Sequence, residues 1–155
     1  MKAIFSCLML ITFFTFQTSG INVCEIQIPE KVIKSFQKKY PKNTEASWDD
    51  LGDMFVVNFY DEGDVLKEAN FDPEGNWQET ITVLDEDELP KKIITFIENK
   101  YRGDAELYDV IFSEKPEGNF YFVNIDVMEM SEDEETESQS ITLTFDDKGK
   151  FLKQD

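Results

Sequence analysis

The chain reads "IPEKVIKSFQKKY" at residues 28–40 and "LPKKIITFIENKY" at residues 89–101. Pro29, Ile33, Lys39 and Tyr40 fall on Pro90, Ile94, Lys100 and Tyr101, with Val32/Ile93 and Phe36/Ile97 as apolar equivalents. Downstream, "FVVNF" (55–59) matches "YFVNI" (121–125), and "FDPEGNW" (71–77) matches "FDDKGKF" (145–151). The offset grows from 61 to 66 to 74, so the second copy gains five residues and then eight more. Ordered matches with growing offsets predict a duplication carrying loop insertions.

Each copy opens with a helix. Proline suits a first helical position, where its missing N–H would find no partner anyway. Val32, Ile33, Phe36 and Tyr40 share one face at helical spacing, as do Ile93, Ile94, Ile97 and Tyr101. The acidic run "DEDE" (85–88) precedes the second helix, while Lys38, Lys39, Lys100 and Arg102 sit at helix C-termini. Both placements suit the helix dipole. Pro41 is expected to stop the first helix and Gly103 the second.

The helices give way to strands rich in β-branched and aromatic residues: "MFVVNFY" (54–60), "NFYFVNIDVM" (119–128) and "SITLTF" (140–145). "DEGD" (61–64), "DPEG" (72–75) and "DDKG" (146–149) mark hairpins, the last two as type I turns closed by a left-handed glycine. The expected fold class is α+β: two tandem helix-plus-antiparallel-meander (α-β4) repeats, with helices on one face of the sheet. A unit of about 60 residues holds only a marginal core, so the two sheets are expected to join.

Residues 1–20 read as a signal peptide, with Lys2, the apolar run "AIFSCLMLITFFTF" and the small-residue exit "QTSG". The run falls short of the roughly 20 residues of a membrane span, so no spanning segment is expected. The repeats then occupy residues 21–84 and 85–155, the second carrying an acidic loop insertion at 129–138, "EMSEDEETES". That loop is read as a solvated, self-repelling hairpin end rather than a contact for a basic partner or a weak cation site. Cys24 is the one cysteine after the signal, which excludes an intramolecular disulfide. "INVC" departs from a lipoprotein signal, so a lipid anchor at Cys24 is a minor alternative to a free thiol.

Past the signal, 33 Asp and Glu face 14 Lys and Arg, a net charge of −19. Such a surface repels nucleic acid and anionic headgroups, which excludes both as partners. The chain has no histidine, which removes the commonest general base and the usual zinc ligands. No catalytic residues, cofactor or metal ligands are assigned, and the protein is expected not to be an enzyme. "DPEGN", "DDKGK" and "DEGD" echo calcium loops in their Asp and Gly. None completes the twelve-residue pattern, and hairpin turns explain the same residues. A calcium-binding acidic protein is the alternative function.

The helix pattern "P-x-x-[VI]-I-x-x-x-x-x-K-Y" and "F-D-x-x-G" before a final strand, each used twice after a signal, resemble the beta-lactamase-inhibitor-like, PepSY-like proteins exported by Gram-negative bacteria. The resemblance covers about Ile28 to Lys153. It implies tandem α-β4 modules whose strands form a concave sheet. It also implies a non-enzymatic role in binding or inhibiting a protein partner, in the periplasm or at the cell surface. No catalytic residues come with it, and the acidic 129–138 segment departs from the first copy's pattern.

Strand alternation places that partner. Phe55, Val57 and Phe59 match Tyr121, Val123 and Ile125, a bulky apolar set suited to the core beneath the helices. The other parity holds Met54, Val56, Asn58 and Tyr60 against Phe120, Phe122, Asn124 and Asp126, with Met128 beyond. Large apolar side chains mixed with polar ones mark a face that meets something, whether the other repeat, a dimer mate or a ligand. Met54, Val56, Tyr60, Phe120, Phe122 and Met128 are the expected partner-binding residues.

Overall fold

The computed structural model describes residues 27–43, 45–130 and 136–155 of the 155-residue chain. The expected signal segment and Cys24 lie outside the described residues. Helix α1 (Glu30–Lys39) leads into strands β1 (Ala46–Asp50), β2 (Phe55–Asp61), β3 (Val65–Phe71) and β4 (Trp77–Val83). A 3-10 turn at Glu86–Glu88 then precedes α2 (Lys91–Tyr101), β5 (Ala105–Lys115), β6 (Gly118–Met130), β7 (Thr136–Asp146) and β8 (Phe151–Gln154). All eight strands form one antiparallel sheet in chain order, β1 through β8. The halves join where β4 pairs with β5, from Thr80↔Glu114 to Val83↔Ile111.

Both helices start immediately after their proline. Pro29 and Pro90 sit outside the helix proper, and their carbonyls accept the first-turn N–H groups of Val32 and Ile93 at 2.9 and 2.8 Å. Tyr40 closes α1 before Pro41. In α2 the left-handed residue is Arg102 itself (φ 54°), one position ahead of Gly103, which is also left-handed at φ 90°. Asp85 and Glu88 form a reciprocal capping box on the 3-10 turn.

The register shows that the two helices share a face. Val32 and Phe36 pack on Phe55, Val57, Phe59, Ala69 and Phe71, while Ile93 and Ile97 pack on Val110, Val123, Ile125, Ile141, Leu143 and Phe145. Ala69 pairs with Thr80, Thr80 with Glu114, and Val110 with Val123, so the two sets lie on one side of one ladder. Each fully buried Phe or Ile in these layers contributes about 1.5–3 kcal/mol of transfer free energy.

The repeated motifs pin each helix to the last hairpin of its own half. Gly75 (φ 85°) and Gly149 (φ 72°) close the turns after β3 and β7. A Cβ on Gly75 would lie 3.0 Å from the Lys31 carbonyl oxygen, and one on Gly149 would lie 3.2 Å from the Lys92 Cβ. Glycine is required both for the backbone sign and for the close approach. At the other helix end, Lys39 Nζ sits 3.5 Å above the Trp77 ring, and Lys100 Nζ 5.2 Å from the Phe151 ring. The Tyr40 hydroxyl bonds Thr80 Oγ1 at 2.5 Å, and the Tyr101 hydroxyl donates to Gln154 Oε1 at 3.1 Å.

The second half's extra length was expected in loops, and most of it is strand. A bulge between Leu107 and Asp109 takes up one residue, and the β5–β6 ladder continues past Phe112↔Tyr121 to Lys115↔Gly118. β6 and β7 stay paired out to Met130↔Thr136. The segment read as an acidic loop at 129–138 therefore begins and ends in strand, with residues 131–135 outside the described residues. Cross-strand pairing of polar residues satisfies their backbone groups without a buried face, which composition alone does not reveal.

Candidate functional site

The sheet face away from the helices carries every expected partner-binding residue, in two groups. Val56 and Tyr60 lie on β2 with Met54 just before it; Phe120, Phe122 and Met128 lie on β6. Three strands separate β2 from β6, which sets the groups roughly 19 Å apart at the usual spacing between neighbouring strands. Exposure differs within each group. Tyr60 and Met128 stand 63% and 50% exposed, Met54, Phe120 and Phe122 are half-buried, and Val56 is only 7% exposed. Val56 is thus a packed member of this face, wedged beside Asn70 on β3, and offers a partner little surface.

Register links the two groups through residues that sequence pattern had not singled out. Tyr60 pairs with Leu66, Val83 with Ile111, and Ile111 with Phe122, while Leu66 and Val83 flank the Lys67↔Thr82 pair. An apolar row therefore crosses five strands, with Leu66 and Val83 53% and 66% exposed. The hairpin count held the clue. A turn at 62–64 sets Asp61 opposite Val65, which puts Tyr60 opposite Leu66 on the same face.

Polar side chains bonded to one another flank this row on both sides. Ser113, fully buried, donates to Glu79 Oε1 at 2.6 Å, and Lys115 Nζ lies 3.4 Å from the same oxygen. Lys115 also sits 5.9 Å from the centre of the Phe122 ring. Asn124 donates to Asp109 at 3.0 Å and accepts from Thr142 at 2.7 Å, and Ser140 donates to Asp126 at 2.5 Å. These contacts hold the polar side chains in fixed orientations.

Shallow depressions flank the rows. One of 360 Å³ is floored by Leu66, Ile81 and Val83 and edged by Glu68, Asp85 and Glu88. A second of 380 Å³ shares Asn58 and Glu68 with it and extends to Asp49, Asp50 and Leu51. A third of 380 Å³ lies in the other half, between Phe120, Phe122, Leu152, Lys115 and Lys153.

The turns that echoed calcium loops are closed by their own backbone. Asp72 accepts from Asn76 Nδ2 and the Asn76 N–H, both at 2.8 Å, and these bonds, the side-chain one foremost, hold its carboxyl below the usual range. Asp146 is lowered likewise, first by the Lys150 N–H at 2.8 Å. Among the described residues no three His, Cys, Asp or Glu side chains gather to hold a metal. No helix among them is long and apolar enough to cross a membrane.

Residues 53–153 match the family described as "Putative beta-lactamase-inhibitor-like, PepSY-like". Solved structures share the fold. A BLIP-like protein from Bacteroides fragilis superposes with a TM-score of 0.70 at 21% identity, over 84% of this chain and 86% of that one. A DUF2874 family protein from Bacteroides ovatus gives 0.68 at 20% identity, over 84% and 88%. A structure described as "putative periplasmic proteins", from Bacteroides eggerthii, gives 0.65 at 19% identity, over 83% and 88%. No curated protein matches the sequence.

Proposed function

The chain belongs to the beta-lactamase-inhibitor-like, PepSY-like family, and from that premise we propose that it is an exported, non-enzymatic module that binds a protein partner through the helix-free face of its sheet. The observation that carries this reading is the apolar row Tyr60–Leu66–Val83–Ile111–Phe122, which crosses both halves and is left uncovered by the helices. Exposed apolar side chains bordered by polar ones mark interaction surfaces, and their aromatics are the usual anchors. The motif residues shared by the two halves are engaged in pinning helices to hairpins, so they leave recognition to this face. The same correspondence supports reading the halves as tandem α-β4 copies at 21–84 and 85–155. The apolar start of the sequence and a structural relative described as periplasmic support export to the periplasm or cell surface. A beta-lactamase is not implied as the target.

The test is affinity capture from a bacterial envelope fraction with the wild-type chain and with Tyr60→Ala/Phe122→Ala, after urea melts confirm that both are folded. A partner retained by the wild type and lost by the variant supports the open face. Equal capture by both places recognition elsewhere.

A further inference from the structure

The two joined depressions on the first half of the open face have a one-sided electrostatic character. Leu51, Leu66 and Val83, each more than half exposed, present apolar surface there. Around them stand Asp49, Asp50, Glu68, Asp85 and Glu88, and no Lys or Arg lines either depression. Six carboxylates outside these depressions, Glu30, Asp61, Glu62, Glu74, Glu79 and Asp155, form ion pairs. Among the described residues, none of the five groove carboxylates does. The second half's depression differs, since Lys115 and Lys153 line it and only Glu117 opposes them.

From this we infer that the groove over β2, β3 and β4 takes a cationic amphipathic segment of the partner, in which apolar side chains seat on Leu66 and Val83 while flanking Lys or Arg side chains meet Glu68, Asp85 and Glu88. The inference rests on the open-face reading above and adds the partner's chemistry. Charge complementarity selects this occupant. An acidic segment would meet five unneutralised carboxylates in a chain of net charge −18, and a second copy would bring the same excess against itself. A purely polar cation would leave the exposed leucine and valine unused.

Three labelled synthetic peptides test it by fluorescence anisotropy at low and physiological salt: alternating Leu/Lys, alternating Ser/Lys and alternating Leu/Glu. The expected result is that Leu/Lys binds the wild-type chain and Ser/Lys binds far more weakly. The triple variant Glu68→Gln/Asp85→Asn/Glu88→Gln should then lose affinity for Leu/Lys by about tenfold or more. These residues are exposed or half-buried, so the variant is expected to fold, and its urea melt verifies that. No binding of Leu/Lys, or binding undiminished in the triple variant, overturns the inference. Amide chemical-shift mapping separates that failure from failure of the wider reading. Leu/Glu perturbing Phe120 and Phe122 would overturn the cationic chemistry and keep the open face, whereas perturbation confined to α1 and α2 would overturn both.

Discussion

The helix-end tyrosines of the two halves are both half-buried, yet the first buries its hydroxyl bond and the second makes it at the surface. The Tyr40 hydroxyl reaches Thr80, a fully buried residue that also accepts from Trp77 Nε1 at 2.8 Å. Tyr101 makes the matching contact with Gln154 in the open, where Lys100 shares the same oxygen. The cores differ in kind as well. Phe36 contacts Tyr40, Trp48, Phe59 and Phe71 ring to ring, at centroid separations of 5.1 to 6.4 Å. Beneath α2 the filling is mainly Ile93, Ile97, Ile125, Ile141 and Leu143, with Phe145 the one fully buried aromatic and Phe96, Tyr101, Tyr121 and Phe151 packed around them. The two halves are thus filled differently, one by aromatic and one mainly by aliphatic side chains, beneath helices that are clasped to a closing hairpin in both.

The largest expected effect comes from the equivalent core positions Phe59 and Ile125. Phe59→Ala should cost about 3–5 kcal/mol and Ile125→Ala about 2–5 kcal/mol in urea unfolding. Because β4 and β5 share a ladder, each variant should still melt in one cooperative transition. Two separated transitions would show that the halves are independent units and break the picture of one sheet.

Next come the hairpin glycines. Gly75→Ala meets the Lys31 carbonyl oxygen at 3.0 Å and should cost about 2–4 kcal/mol, against about 1–3 kcal/mol for Gly149→Ala, whose nearest neighbours, Lys92 Cβ and Ile93 Cγ1, stand slightly farther off at 3.2 and 3.3 Å. Equal costs in thermal melts would mean that the positive φ, and not the helix contact, is what both halves require.

Smaller still is the tyrosine pair. Tyr40→Phe should lose about 1 kcal/mol and Tyr101→Phe close to nothing, since the second bond is exposed. Burial, the dominant cause, raises the Tyr40 pKa from 10.0 to about 12. The unfolded chain therefore releases this proton first as pH rises, and the stability contributed by neutral Tyr40 is fully present below pH 10 and lost toward pH 12. Comparing wild type with Tyr40→Phe by urea melts across that window should show a steeper decline in the wild type, since Tyr121, also raised by burial, still contributes in the variant.

The least effect on stability is expected on the open face. Tyr60→Ala should shift the melt by under about 0.5 kcal/mol, as at other exposed positions. Val56→Ala should cost about 1–2 kcal/mol because Val56 is packed. If Tyr60→Ala destabilises as much as Val56→Ala, the face is covered rather than open.

The α+β class, the helix starts, the hairpins at 61–64, 72–75 and 146–149 and the core parity of β2 and β6 were legible in the sequence, because periodicity and turn chemistry act locally. Two things were hidden. Val56 shares the parity of Tyr60, yet its neighbours bury it, and parity gives a side chain's direction without its exposure. The row through Leu66, Val83 and Ile111 depends on how β3, β4 and β5 register against one another, and a bulge at Asn70/Phe71, beside the β3–β4 turn, shifts that register for the rest of the ladder. The acidic stretch misled for a related reason. Composition favours a loop there, while continuing hairpin pairing keeps both of its ends in strand.

Strand order in the sheet is also chain order. Every strand can pair with the one made just before it, so no segment waits unpaired for a distant partner and the loops to be closed are short. A chain emerging N-terminus first could therefore zip together as it arrives. At each stage it would show only two free borders, β1 and the newest strand. β1 is five residues long and carries Asp49 and Asp50, and the last strand, β8, is four residues long and carries Lys153. Short, charged borders are poor templates for pairing with other chains, so assembly can begin at the front and finish without offering its neighbours an edge to join.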